Sequence, residues 1–199
     1  MSKIKLIHSG GNAVSLNPPA SAPGSADVAL KLPTTVGTAG QVLMSDGSGN
    51  LSWTDNTPMW MVKTGTNQTI SNTTHTVVAL ASEIIDTDNA FNTSTYAFTV
   101  PTGKGGKYWL YHQVRLNSNP DDGEYIEGYI EKNGSDQLKS SVTQMRSPGA
   151  NLSTWAKQGW IEELAAGDVL KQKIFHNSGG DATLDDHYTF FGGYRLIGG

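Results

Sequence analysis

The segment Tyr188-Thr189-Phe190-Phe191-Gly192-Gly193-Tyr194-Arg195-Leu196-Ile197 decides how this chain is read. It is rich in aromatic and apolar residues and carries two adjacent glycines. As a strand, it places Phe190, Gly192, Tyr194 and Leu196 on one face and Phe191, Gly193, Arg195 and Ile197 on the other. Apolar bulk on both faces predicts a strand covered on both sides, central in a sandwich. Adjacent glycines weaken an isolated strand, so they predict that something approaches the backbone closely, either a second sheet or a second copy of the chain.

Working outward, strand patterns recur through residues 57–199. Residues 58–63 read as an apolar strand, 65–68 as a turn, and 75–80 as the next strand. Residues 84–87 and 96–101 flank a polar loop. Residues 108–116 form a strand with Tyr108, Leu110, His112, Val114 and Leu116 on one face and Trp109, Tyr111, Gln113 and Arg115 on the other. Residues 125–132 alternate well, and Asn133-Gly134 is a strong hairpin signal leading to a return strand at 137–142. Residues 153–164 suit a strand because Gly159 interrupts any helix, and 169–175 follow a turn. A polar loop, 177–186, precedes the last strand. No helix is expected. Gly makes up 23 of 199 residues and charged residues only 16 %, which fits an all-β protein with many turns whose lightly charged surface packs against copies of itself.

Two stretches resemble a known family. Phe191-x-Gly193-Tyr194-x-Leu196 resembles the closing strand of C1q/TNF-like domains, and Gly106-Lys107-Tyr108-Trp109-Leu110-Tyr111-His112-Gln113-Val114 resembles an earlier strand of the same family. Arg195 departs from the pattern, which there prefers an apolar residue. The resemblance spans residues 58–199. It implies a jelly-roll β-sandwich that assembles as a compact homotrimer, with Trp109, Tyr111, Phe190, Tyr194 and Leu196 as candidates for the trimer interface.

Residues 1–56 are different. Lys3-Ile4-Lys5-Leu6-Ile7-His8 reads as a short strand, 17–25 is rich in Pro, Ser and Gly, and 26–33 alternates like a strand. The apolar patches at 41–44 and 50–53 are separated by an Asp46-Gly47 turn. Large apolar residues are too few here for a monomeric core. The composition by itself also fits a flexible linker. The run from Asp27 to Pro33, followed by Gly37-Thr38-Ala39-Gly40-Gln41-Val42-Leu43 and Asp46-Gly47-Ser48-Gly49-Asn50-Leu51-Ser52-Trp53, resembles a segment of phage tail-fibre and similar appendage proteins. That resemblance implies an extended attachment or stalk segment. Three copies would pool Leu30, Leu32, Val42, Leu43, Leu51 and Trp53 around a three-fold axis.

Chemistry is sparse. The chain has no Cys, which removes disulfides, thiolate metal sites and cysteine catalysis. A net charge of −4 without a Lys/Arg cluster argues against nucleic acid, and no apolar run is long enough to span a bilayer. No signal-peptide core is evident at the start. Gly103-Lys104-Gly105-Gly106 lacks phosphate-loop spacing, and Ser147-Pro148-Gly149 is no nucleophile elbow. His176 and His187 flank a loop with Asp181, Asp185 and Asp186, whose oxygens are of the type that Ca²⁺ takes; Asp-rich loops are ordinarily solvated turns, so no metal or cofactor is expected.

These readings lead to a non-enzymatic, trimeric fibre or appendage protein of a bacteriophage. It would be made in the host cytoplasm and carried on the virion. Residues 1–56 would dock onto other virion proteins, and residues 57–199 would present a head to a host-surface glycan or protein. The receptor-loop candidates are Asp88, Asn92, Asp121, Asp122, Asn151, Asn177, Asp181 and Asp185. The alternatives are a capsid decoration or head-fibre protein, and a free bacterial lectin-like trimer. A glycan-cleaving appendage is disfavoured because the carboxylates are scattered over turns.

Overall fold

A computed structural model of the chain describes residues 4–7, 10–11, 13–16, 24, 29–54, 58–118, 123–144 and 152–196. The expected Pro-rich stretch at 17–25 lies outside the described residues, apart from Gly24. The chain divides into two compact units, Met1–Asn56 and Thr57–Gly199. Among the described residues there is no helix, and hence none long and apolar enough to cross a membrane.

In the first unit, β1 (Ile4–Ile7) and β2 (Ala13–Leu16) pair antiparallel. A second hairpin joins β3 (Val42–Ser45) to β4 (Leu51–Thr54). Its turn is built on Asp46, whose carboxylate accepts hydrogen bonds from the backbone N–H of Ser48 (2.8 Å) and Asn50 (3.0 Å) and from the Asn50 amide (2.6 Å). The Asn50 side chain first, then Ser48, hold the Asp46 carboxyl below the usual range. The strand expected at 26–33 is not formed in its described part. Only Lys31 makes a bridge, parallel to Asn50 just before β4, its N–H and C=O bonding Gly49 and Leu51.

The second unit contains β5 (Met59–Lys63), β6 (Gln68–Ile70), β7 (Thr76–Val77), β8 (Ser82–Asp86), β9 (Phe91–Asn92), β10 (Ala97–Thr99), β11 (Gly106–Ser118), β12 (Tyr125–Lys132), β13 (Asp136–Gln144), β14 (Leu152–Leu164), β15 (Val169–His176), β16 (Ala182–Leu184) and β17 (Phe190–Arg195). They form two antiparallel sheets. One runs β6-β16-β11-β17-β5-β8, with β14 along the other edge of β11; the other runs β13-β12-β15-β10-β9, with β7 on β15. The two sheets sandwich one core, in which Phe98, Leu110, Ile130, Leu170 and Phe191 are fully enclosed. Each such side chain contributes about 1.5–3 kcal/mol on leaving water. Strict alternation explains the layering: along β15 every second residue is buried, and in β5 Trp60 and Val62 turn inward while Met59, Met61 and Lys63 turn outward.

The terminal segment is central, as expected, between β11 and β5. Its glycines are explained within one chain. A Cβ at Gly193 would collide with the Trp60 indole and the Trp109 carbonyl, and one at Gly192 with the Trp60 carbonyl. Trp60 in turn stacks on Phe98 of the opposite sheet, with centroids 3.5 Å apart and planes 8° from parallel. One face of β17 is covered within the chain, with Phe191 in the core; on the other face Tyr194 is 42 % exposed, and no described element packs over it, so cover there is left to a second copy of the chain. Ile197 lies outside the described residues.

Four local expectations change. The strand expected at 75–80 shrinks to the two residues of β7: Val78 N–H still reaches the Gln172 carbonyl of β15, but Ala79 N–H is taken by the Gln68 side chain. The turn at 65–68 leads into the unexpected β6, whose Ile70 is fully buried. The polar loop before residue 96 holds β9 and the core residue Phe91. The polar loop at 177–186 holds β16, whose Ala182 and Leu184 reach the core. Asn133-Gly134 does close the β12–β13 hairpin, both residues taking left-handed φ (55° and 78°).

Candidate functional site

On β11, even-numbered residues face the core, so Trp109, Tyr111, Gln113 and Arg115 project from the outer face of its sheet. The register sets their neighbours. Tyr111 lies between Gly159 of β14 and Gly192 of β17, and Trp109 lies between Ile161 and Tyr194. Glycine on both sides of Tyr111 leaves a floor of bare backbone. The Trp109 ring fills part of it, for a Cβ at Gly159 would stand 2.7 Å from Trp109 Cζ2. Tyr111 stacks on Phe190 at 5.5 Å, and its hydroxyl donates to Gln113 Oε1 at 2.9 Å. Burial pushes the Tyr111 phenol up from its usual range.

Met59 and Met61 of β5 and Ile85 of β8 complete the wall of a concavity of about 300 Å³. No charged side chain lines it. Such a surface presents no carboxylate, imidazole or ammonium group, and it can bury apolar area. Of the interface candidates, Trp109, Tyr111, Phe190 and Tyr194 come together here. Leu196 lies just past the end of β17, half-buried, with its N–H on the Lys107 carbonyl (2.8 Å), and does not line the concavity. Met59, Met61, Ile85 and the exposed Ile161 were not singled out in the sequence. Strand parity through Met59-Trp60-Met61 would have found the two methionines.

One end of the same face is polar. Arg115 lies over the rings of Tyr188 (4.5 Å) and Trp155 (5.3 Å), pairs with Asp185 at 3.0 Å, and donates to Ser153 Oγ at 2.6 Å. It ties β11, β14 and the β16–β17 connection together. Asp185 is thus committed to a structural ion pair.

The other loop candidates are also structural fasteners. Asn92 Oδ1 accepts the N–H of Ser94 (2.9 Å) and Thr95 (3.1 Å), Asp88 accepts the Thr87 hydroxyl (2.8 Å), Asn177 Oδ1 accepts Tyr125 N–H (2.7 Å), and Asp181 accepts Asn72 N–H (3.1 Å). Asp121, Asp122 and Asn151 lie outside the described residues. Asp185, Asp186 and His187 hold their ligand atoms within 4.8 Å of one another, but Asp186 is bound to His187 (2.6 Å) and Asp185 to Arg115. His176 is not part of this group. It is fully buried, bonded to the Ile70 carbonyl at 3.0 Å and to Ser178 at 2.9 Å.

Inside the sandwich, His112 is fully buried, and neither ring nitrogen has a hydrogen-bond partner among the described residues. It packs edge-on to Trp160 at 5.8 Å and against Gly128, where a Cβ would stand 3.2 Å from its ring. Burial pushes its pKa down to about 4.

No protein-family model matches the sequence, and no curated protein is similar to it. Solved structures do match. Murine APRIL at pH 5.0 superposes with a TM-score of 0.54 at 18 % identity, over 71 % of this chain and all of that one. The globular domain of zebrafish complement 1qA gives 0.54 at 18 %, over 71 % and 98 %. The Eiger TNF of S. frugiperda gives 0.53 at 14 %, over 71 % and 93 %. The second unit therefore has the C1q/TNF-like jelly-roll fold that the terminal motif implied.

Proposed function

We propose that this chain is a non-enzymatic homotrimeric binding protein, a bacteriophage tail fibre or similar appendage whose head engages a host surface. The observation that carries the trimer is the outer face of the β11 sheet, where Trp109, Tyr111, Met61 and Tyr194 surround an uncharged concavity on a C1q/TNF-like sandwich. Interface cores favour aromatic residues and Met and exclude charge. Three heads packed through these faces would remove Tyr194, Met59 and Ile161 from water, and leave the β12–β15 sheet and the loop ends for partners. Weak contacts from three heads, multiplied over several fibres, would add up to firm attachment by avidity.

The appendage role is supported by the sequence of residues 27–53, which resembles tail-fibre segments, and by its separation from the head as a compact unit of its own. In this reading the first unit docks on other virion proteins, the protein resides on the particle, and the receptor is a glycan or protein of the host surface. Light scattering on the purified chain should report three copies. The same chain, added in excess, should block adsorption of the parent phage to its host. A monomer would defeat the trimer, and undiminished adsorption would defeat receptor binding.

A further inference from the structure

We infer that the β3–β4 hairpin is a stalk element sandwiched between other copies of the same chain, one covering each of its faces. The inference rests on the trimeric reading above and adds which residues make the contact. All four residues of β3 are exposed. Val42 and Met44 point to one side of the ribbon and Leu43 to the other, so apolar side chains stand in water on both faces (41 %, 48 % and 45 % exposed).

Beside them, Leu30 and Leu32 (63 % and 75 % exposed) flank Lys31. The Lys31 backbone is tied down by hydrogen bonds to Gly49 and Leu51, both 2.8 Å. Trp53 is used differently: its Nε1 donates to the Thr35 carbonyl at 2.8 Å, and its ring lies where a Cβ at Gly37 would be. It pins the loop of its own chain and is not free to meet a neighbour.

A two-stranded ribbon with one packed ring is marginal on its own. A membrane or a single foreign protein would cover one side and leave the other wet. A closed three-copy arrangement gives every chain two neighbours, one for each face, and a trimeric head holds those neighbours at high local concentration.

The chain has no Cys, so single thiols can be placed cleanly. Leu32→Cys, Leu43→Cys and, in the exposed turn, Ser48→Cys are made in the full chain and labelled with a maleimide while light scattering records the assembly. The thiols introduced at positions 32 and 43 should label at least about tenfold more slowly than the one at 48. Hydrogen exchange on the unmodified chain should show the amides of 42–45 protected as long as the trimer persists. Equal labelling and fast exchange in a trimeric chain would overturn this inference and leave the head trimer standing. A monomeric chain would overturn both.

Discussion

The Trp60 indole occupies the space that any side chain at Gly193 would need: a Cβ built on Gly193 would stand 2.7 Å from Trp60 Cη2 and 2.6 Å from the Trp109 carbonyl oxygen. The backbone contact cannot be relieved by a rotamer change, and Trp60 is itself wedged between Phe98 and Phe191. Gly193→Ala should therefore destabilise the head by about 2–3 kcal/mol, the scale of overpacking in a filled core. Urea denaturation read by Trp fluorescence measures it, and an unchanged midpoint would refute the account.

Assembly should fail before folding when the concavity is charged. Met61→Glu and Tyr194→Glu change outward side chains that are 38 % and 42 % exposed in the single chain. Each places an unpaired carboxylate in the proposed interface, a penalty of about 3–5 kcal/mol. Light scattering should move from three copies to one while circular dichroism keeps its β spectrum.

Acid should weaken the sandwich through His112. Its pKa is about 4 in the fold against an ordinary 6.5, so the folded state resists protonation. The stability held by the neutral ring is complete above pH 6.5 and is lost as pH falls from 6.5 towards 4. The shift corresponds to at most about 3 kcal/mol. His112→Leu should flatten the stability profile across that window, and a profile as steep as before would assign the acid response to other groups.

Arg115 should matter for its shape as well as its charge. Arg115→Ala removes the Asp185 ion pair, the Ser153 bond and the cover over Tyr188 together, a loss of about 1–3 kcal/mol. Arg115→Lys should recover little, because an ammonium cannot stack flat on Tyr188 while bonding two partners. Melting temperatures of the three proteins test this.

The 177–186 segment should not behave as a replaceable loop. Leu184→Ala should cost about 2–4 kcal/mol as a core truncation, whereas changes at Gly180, which no neighbouring atom approaches, should be close to neutral. If the truncation were as mild as the Gly180 change, β16 would not be part of the core.

Much of the fold could be read from residue order alone. Alternation in 108–116, the Asn133-Gly134 turn and the closing Phe-Phe-Gly-Gly-Tyr strand depend on local geometry: side chains alternate along a strand, and only certain residues accept a left-handed backbone. They led to an all-β sandwich whose terminal strand is central, and the structure has both. Four of the five interface candidates meet in one concavity for the same reason, since parity and register alone carry them there.

What parity could not settle was which neighbour satisfies each strand. The short strands β6, β9 and β16 have little pattern of their own, and exist because β11, β10 and their neighbours present free backbone edges to them. In the sequence the loop Asn and Asp residues show no partners, yet in the folded chain Asn177 and Asp181 each accept a backbone N–H, from Tyr125 and Asn72, that only the fold brings within reach. The glycine pair signalled a close approach but not by what; Trp60 of the same chain fills the space at Gly193 because β5 pairs with β17, a long-range contact that no local pattern encodes.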